Sequence, residues 1–185
     1  MPSYIALLRG INLGNRRIKM DRLAALFEEM GFGDVSTFIA SGNVVFESEG
    51  VQAAALEDRI ERRLQESLGY PVDTFVRTRD EVAAVAGFTP FSPADMVDPR
   101  NTTHVGFLKD RLPAEMASGL LACATPVDSF HVDGREFYWL CRVRTIDSQV
   151  WTVPEMKALK LPTATMRNIT MLRKLAVRYP AAAGS

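Results

Sequence analysis

The sequence predicts an α+β protein built from two ferredoxin-like modules, each a split β-α-β unit with a mostly antiparallel sheet and helices on one face. Three observations support this prediction. In the first half, apolar runs and amphipathic helical patterns follow one another in the order β-α-β-β-α-β. A proline-rich stretch comes next, and the second half then repeats β-α-β-β-α in outline, although no residue-level repeat is evident.

The first predicted module spans residues 1–88. An apolar run at residues 4–8 predicts a buried strand, and four apolar side chains recur on one face of a helix at residues 20–30. The remaining predicted elements are a hairpin with strands at 35–40 and 44–46, an amphipathic helix at 51–68, a strand at 72–77 and a short helix from a cap at Asp80 to Ala86.

Residues 89–101 predict a connecting segment and the module boundary, because they hold three prolines and no periodicity. The second module is predicted at 102–185. Its predicted elements are a strand at 103–109, a helix after Pro113, a hairpin at 127–132 and 136–142 around Asp133-Gly134, an ambiguous stretch at 148–161 that contains Pro154, and a basic amphipathic helix at 165–179.

The formal net charge is zero, which argues against a surface built as a whole to bind nucleic acid or an acidic membrane. The charges are nevertheless segregated along the chain. Residues 1–22 carry five Lys or Arg and one acid, and residues 155–185 carry six and one, so the part between them is acidic. If the two ends meet, they form one basic site; otherwise they are separate solvated surfaces.

The stretch 9–19 is the first candidate site. It follows the first predicted strand and precedes a helix, and it contains Arg9, Asn12, Arg16, Arg17 and Lys19. Arginine forks and the amide groups of a helix N-terminus both favour phosphate or carboxylate. The spacing fits neither a Walker A loop nor G-x-G-x-x-G.

Two further polar clusters are candidates. Ser41-Gly42-Asn43 suits a hairpin turn; in a functional interpretation, Asn43 would hydrogen-bond a ligand and Ser41 would be a weak nucleophile without a supporting histidine. Thr165 is predicted to cap the last helix, which places Arg167 and Asn168 in its first turn. A cation is unfavourable there, so Arg167 is predicted to bind an anion or an acidic side chain.

These three clusters carry a family resemblance. The segments Ala6-Leu7-Leu8-Arg9-Gly10-Ile11-Asn12, Ser41-Gly42-Asn43-Val44-Val45-Phe46 and Thr165-Met166-Arg167-Asn168 resemble the signatures of the bacterial family known as domain of unknown function 1697. The resemblance implies ferredoxin-like modules and no established activity. The family pattern has Trp-Asn-Thr after Arg-Asn where this chain has Ile169-Thr170-Met171, and a lysine where this chain has Gln149.

Several classes of function lack support in the sequence. His104 and His131 lie in predicted strands without metal-ligand spacing, and Cys123 and Cys141 fit buried free thiols, so no metal or cofactor is predicted. The consecutive Phe137, Tyr138 and Trp139 either form an exposed stacking surface or pack against the connecting segment. No signal or long apolar segment is evident, which predicts a cytoplasmic protein that does not bind a membrane.

The leading hypothesis is a protein that binds a small phosphate-bearing or other anionic molecule at a basic site between the modules. Three alternatives stay open: an enzyme with Arg9 and Arg167 as electrostatic clamps, a single-stranded nucleic-acid binder, and a purely structural polar network. The oligomeric state is not predicted.

Overall fold

The computed structural model describes residues 1–39 and 42–182. The chain divides into two compact units. The first comprises Met1–Val85 together with the C-terminal residues from Lys174, and the second comprises Ala86–Arg173. The end of the last helix is therefore grouped with the first unit, and the predicted connecting segment at residues 89–101 lies within the second unit.

The first unit has the predicted ferredoxin-like order. Its elements are β1 (Ser3–Leu8), α1 (Met20–Glu29), β2 (Gly33–Thr37), β3 (Asn43–Glu47), α2 (Ala53–Leu68), β4 (Thr74–Thr78) and α3, which runs from Arg79 to Gly87 at the unit boundary. The four strands pair antiparallel in the order β2-β3-β1-β4. This is the split arrangement expected from the succession of elements.

The core of this unit lies between the sheet and helices α1 and α2. The inward residues of β1 are Tyr4, Ala6 and Leu8, and they pack with Leu23 of α1 and Ile60 of α2. The alternate residues of β1 are equally buried. Burial on both faces explains why this strand is a continuous apolar run instead of an alternating one.

Two local predictions in this unit need correction. The second strand ends at Thr37, and Ile39 has a φ of +58°, which an extended strand does not accommodate; residue 40, the predicted end of this strand, lies outside the described residues. Helix α3 begins at Arg79 and is capped by Thr78, whose hydroxyl accepts from the Glu81 amide at 3.1 Å, instead of by Asp80.

The second unit repeats the same topology. Its elements are α4 (Pro93–Val97), β5 (Thr102–Phe107), α5 (Ala114–Ala122), β6 (Asp128–Asp133), β7 (Glu136–Cys141), a 3₁₀ turn (Thr145–Asp147), α6 (Pro154–Ala158), β8 (Thr165–Asn168) and the start of α7 (Ile169–Arg178). The strands are antiparallel in the order β6-β7-β5-β8. Pro154 therefore starts a helix, and Gly134 with a φ of +59° completes the hairpin turn.

The prediction that residues 165–168 begin the last helix is wrong. They form β8, which pairs with β5 so that Met166 lies opposite Gly106. Helix α7 begins at Ile169, and Asn168 rather than Thr165 binds its first turn, because the Asn168 side-chain oxygen accepts from the Thr170 amide at 2.8 Å.

The strand registers reveal a residue-level correspondence between the units. Arg77 lies opposite Ile5 in the first sheet, and Arg167 lies opposite Val105 in the second. Each guanidinium is buried and donates to the carbonyl of the preceding residue at 2.9 Å. The two units therefore repeat a position that sequence inspection alone does not align.

The connecting segment is more ordered than its lack of periodicity suggests. It contains α4, capped by the Ser92 hydroxyl, which accepts from the Asp95 amide at 3.1 Å. The Asp95 carboxylate receives two hydrogen bonds from the Arg142 guanidinium, at 3.0 and 3.1 Å. These bonds attach the segment to the end of β7 and hold the pKa of Asp95 below its ordinary value.

Candidate functional site

The opening loop, residues 9–19, connects β1 to α1 and is held by its own hydrogen bonds. The Asn12 side-chain oxygen accepts from the Ile18 amide at 2.9 Å, and the Tyr70 hydroxyl donates to the Ile11 carbonyl at 3.2 Å. Gly10 and Gly14 have φ angles of +70° and +61°. The loop therefore forms a defined turn, and the side chain of Asn12 stabilises it through its hydrogen bond with the Ile18 amide.

The four cations of the opening loop are exposed. They are Arg9, Arg16, Arg17 and Lys19. Arg9 approaches the Asp73 carboxylate at 3.5 Å, and Arg16 lies over the Tyr70 ring with 4.4 Å to the ring centre. The exposed ion pair of Arg9 contributes little stability, and both Arg9 and Arg16 are exposed to solvent.

The described part of the second cluster lies against this loop. Gly42, with a φ of +77°, accepts at its carbonyl from the Leu8 amide at 2.8 Å. A Cβ at position 42 would come within 2.8 Å of the Ile11 side chain, so only glycine fits this approach. Asn43 is fully buried and donates to the Phe38 carbonyl at 3.0 Å, while Ser41 lies outside the described residues.

The third cluster, in β8, belongs to the second unit. Arg167 is 8% exposed and donates to the Thr165 hydroxyl at 2.8 Å, and burial lowers its pKa to about 10. Thr165 is also buried, whereas Asn168 is exposed. The premise that Arg167 is a misplaced cation in a helix is therefore wrong, and any ligand role for these residues stays a prediction.

The second unit also contains a cavity of about 410 Å³ that sequence reasoning did not identify. His104 and Trp139 form part of its floor, with their rings stacked at 4.8 Å and 24°, together with Phe137 and Met166. These four residues come from the three adjacent strands β5, β7 and β8. The cavity therefore lies on one face of the second sheet.

The connection between β7 and β8 forms the walls of the cavity. They consist of Thr145, Trp151, Leu161, Pro162 and Ala164. Trp151 stands nearly perpendicular to Trp139, with ring centres 5.4 Å apart and an interplanar angle of 88°. Both tryptophans of the chain consequently line this cavity.

Polar contacts fix two of the cavity rings. The Trp139 indole N–H donates to the buried Asp128 carboxylate at 2.8 Å, and the other Asp128 oxygen accepts from the Thr125 hydroxyl at 2.7 Å. His104 Nε2 and the Thr145 hydroxyl are 3.1 Å apart. Burial lowers the pKa of His104, which favours its neutral form.

The three consecutive aromatics are thus separated by strand alternation. Phe137 and Trp139 lie on the cavity face, while Tyr138 packs against Phe88, with ring centres 5.2 Å apart. All three are buried, so they do not form an exposed stacking surface. The aromatic residues of β7 were the signal in the sequence for this region. The cavity could not be predicted from them alone, because its other lining residues are distant along the chain.

The fold and these sites define an α+β protein of two ferredoxin-like modules. The chain belongs to the family described as protein of unknown function DUF1697, whose model matches residues 1–138. This confirms the family that the sequence signatures indicated. The third signature, at residues 165–168, lies beyond the matched range.

A solved structure is similar to nearly the whole chain. It is that of the conserved bacterial protein SP0830 from Streptococcus pneumoniae, with a TM-score of 0.72, 18% sequence identity, and coverage of 96% of this chain and 98% of that one. Likeness at this identity supports the fold alone. A search of curated proteins gave no match.

Residues 1–39 and 42–182 lack two features that would indicate a class of function. None of the helices there has the length and apolar composition that crossing a membrane requires. The same residues contain no group of three or more His, Cys, Asp or Glu side chains placed to bind a metal ion. The cysteines are free thiols, and burial raises the pKa of both.

Proposed function

We propose that this protein binds a small anionic molecule, such as a phosphate-bearing metabolite, at the opening loop of its first unit. One observation carries the proposal. A loop that is closed by the bond between Asn12 and Ile18 keeps Arg9, Arg16, Arg17 and Lys19 exposed, and their charges precede the N-terminus of α1. Guanidinium groups and free helix amides both favour phosphate and carboxylate.

The cations of the loop differ in the contacts that they already make. Arg16 is oriented by the Tyr70 ring, and Arg17 donates to the Arg16 carbonyl at 2.7 Å. Arg9 has Asp73 as a competing carboxylate, so an anion must displace or share that contact. Arg16 and Arg17 are therefore the residues whose loss best tests binding. Participation of Ser41, Asn43, Thr165, Arg167 and Asn168 in the same site stays a prediction.

The test is a thermal shift of the full chain with orthophosphate, ATP, glucose 6-phosphate, polyphosphate and citrate. A ligand at a hundred times its Kd stabilises the folded state by about 2.7 kcal/mol. For a chain of this size, each kcal/mol raises Tm by about 2–4 °C. We expect such a rise for at least one anion, weakening with added NaCl because the loop is exposed.

The matched variants are Arg16→Ala combined with Arg17→Ala, and Arg111→Ala, which removes an exposed arginine of the second unit. The double variant should lose the anion-dependent rise, and Arg111→Ala should retain it. If no anion stabilises the wild type, or if the two proteins respond alike, the proposal is wrong.

A further inference from the structure

The cavity of the second unit occupies a position that a helix fills in the first. By strand register, His104 and Trp139 correspond to Tyr4 and Phe46, and both ring pairs are stacked. Similarly, Gly106 corresponds to Ala6. The two sheets therefore present equivalent floors.

The segments that pack against these two sheet faces differ between the units. In the first unit, the connection between the third and fourth strands contains α2, a helix of 16 residues that buries Leu56, Ile60 and Leu64 in the core. In the second unit, the corresponding connection contains only the short 3₁₀ turn and α6, which has five residues. Val150 and Met156 of this connection pack in one core with Phe137 and Trp139, and the shorter helix leaves the cavity beside that core.

Gly106 sets the depth of the cavity. The Phe137 ring lies directly over it, and a Cβ at this position would come within 2.2 Å of the ring. Any side chain there would lift the ring toward the open space. Glycine therefore keeps the floor flat.

From this geometry we infer that the cavity binds a neutral, planar aromatic small molecule. Its volume of about 410 Å³ lies within the range of small-molecule sites. The perpendicular rings of Trp139 and Trp151 offer a flat ligand both a face and an edge.

The lining of the cavity favours a ligand without charge. Of the described residues that line the cavity, none is acidic, and none is lysine or arginine. Burying an ionised group against these walls without a partner would be costly, so phosphate or ammonium groups are disfavoured. His104 and the Thr145 hydroxyl can exchange their mutual hydrogen bond for one to a ring nitrogen or hydroxyl of the ligand. This site is separate in chemistry from the anion site proposed above.

The experiment titrates the full chain with N-phenyl-1-naphthylamine, a neutral aromatic probe whose emission increases in apolar surroundings. Because both tryptophans line the cavity, excitation of tryptophan should transfer energy to the bound probe, and both indole N–H resonances should shift in an NMR spectrum. Saturable binding with these signals supports the inference. If neither indole resonance moves, the inference is wrong.

Two variants carry the same added ring at different places. Ala164→Phe places it in the wall of the cavity, whereas Ala122→Phe places it on the exposed surface of α5. We expect a loss of probe affinity of about tenfold or more for Ala164→Phe, with Ala122→Phe unchanged. Circular dichroism must show both variants folded; Leu161→Phe provides a second filled cavity if Ala164→Phe unfolds.

Equal probe binding by the cavity variants and Ala122→Phe would overturn the inference. A second copy of the chain is the competing occupant. Sedimentation that shows a wild-type dimer, dissociated both by the probe and by Ala164→Phe, would assign the cavity to self-association and would likewise overturn it.

Discussion

At the scale of single residues, burial changes the chemistry that residue type alone suggests. His104 lies in a strand with its ring stacked on Trp139, and burial lowers its pKa from the ordinary value of 6.5. Arg167 is buried in the strand β8, although the sequence predicts a helix at this position. In both cases the surrounding strands set the protonation behaviour of the side chain.

The lowered pKa of His104 predicts a pH dependence of stability. The unfolded chain takes up a proton near pH 6.5, whereas the folded protein does so only at lower pH. The contribution of His104 is therefore fully present above pH 6.5 and is lost as the pH falls below it. We expect the Tm of His104→Gln, measured by calorimetry, to fall less between pH 7 and pH 5 than the Tm of the wild type. Equal losses in the two proteins would contradict this prediction.

At the scale of secondary-structure elements, glutamates protect the edge of the first sheet. β4 is an edge strand, and three of its amides, those of Thr74, Val76 and Thr78, each donate to a carboxylate at 2.8 Å. The carboxylates belong to Glu61 and Glu57 of α2 and to Glu81 of α3. Unpaired edge amides are available to another strand, and the three carboxylates occupy these donors.

Replacing Glu57 tests this protection. Glu57 is 3% exposed, so Glu57→Ala leaves the Val76 amide without its carboxylate in a buried place. We expect a loss of about 1–3 kcal/mol in the free energy of unfolding, measured in urea, and faster hydrogen exchange at Val76. The control is Glu66→Ala, an exposed glutamate on the same helix, which should change stability by less than about 0.5 kcal/mol. Similar losses in both variants would exclude a specific role for Glu57.

At the scale of the whole molecule, the C-terminal residues complete the first unit. The Tyr179 and Ser36 hydroxyls are 2.9 Å apart, and the Tyr179 ring meets Phe38 edge-on, with ring centres 6.2 Å apart. The Arg79 guanidinium lies 5.8 Å from the Tyr179 ring centre. Tyr179 therefore supports β2, the edge strand opposite β4, and Phe38, the residue that follows β2.

This arrangement predicts that a change at the C-terminus loosens β2. Tyr179→Ala removes the ring and the hydroxyl, so the amides of Ser36 and Thr37 should exchange faster with solvent. The central strand β1 should exchange as in the wild type, because local opening differs between parts of one structure. Tyr179→Phe should have a smaller effect, since it loses only the hydrogen bond. If Tyr179→Ala leaves the exchange of β2 unchanged, the prediction is wrong.

Much of the fold was predictable from local patterns. The periodic helices α1 and α2, the continuous apolar run of β1 and the Asp133-Gly134 turn were all identified, because each depends on residues close together in the sequence. The strand β8 was missed because it is only four residues long and buries an arginine, which no alternation of apolar residues reveals. The exposed cations of the opening loop were also predictable, since they lie between a strand and a helix.

The sequence by itself determined the fold class, the family and a basic loop, because the order of elements and their short-range signals are local properties. Only the tertiary structure decided that Arg167 and Asn43 are buried, that glutamates cover β4, and that His104, Trp139, Trp151 and Ala164 surround one cavity. Those four residues come from segments that are distant in the sequence. The pairing of β5 with β7, and the connection from β7 to β8 that contains the short α6, bring them together. Burial and cavity shape are sums over contacts between such segments, so no local pattern in the chain specifies them.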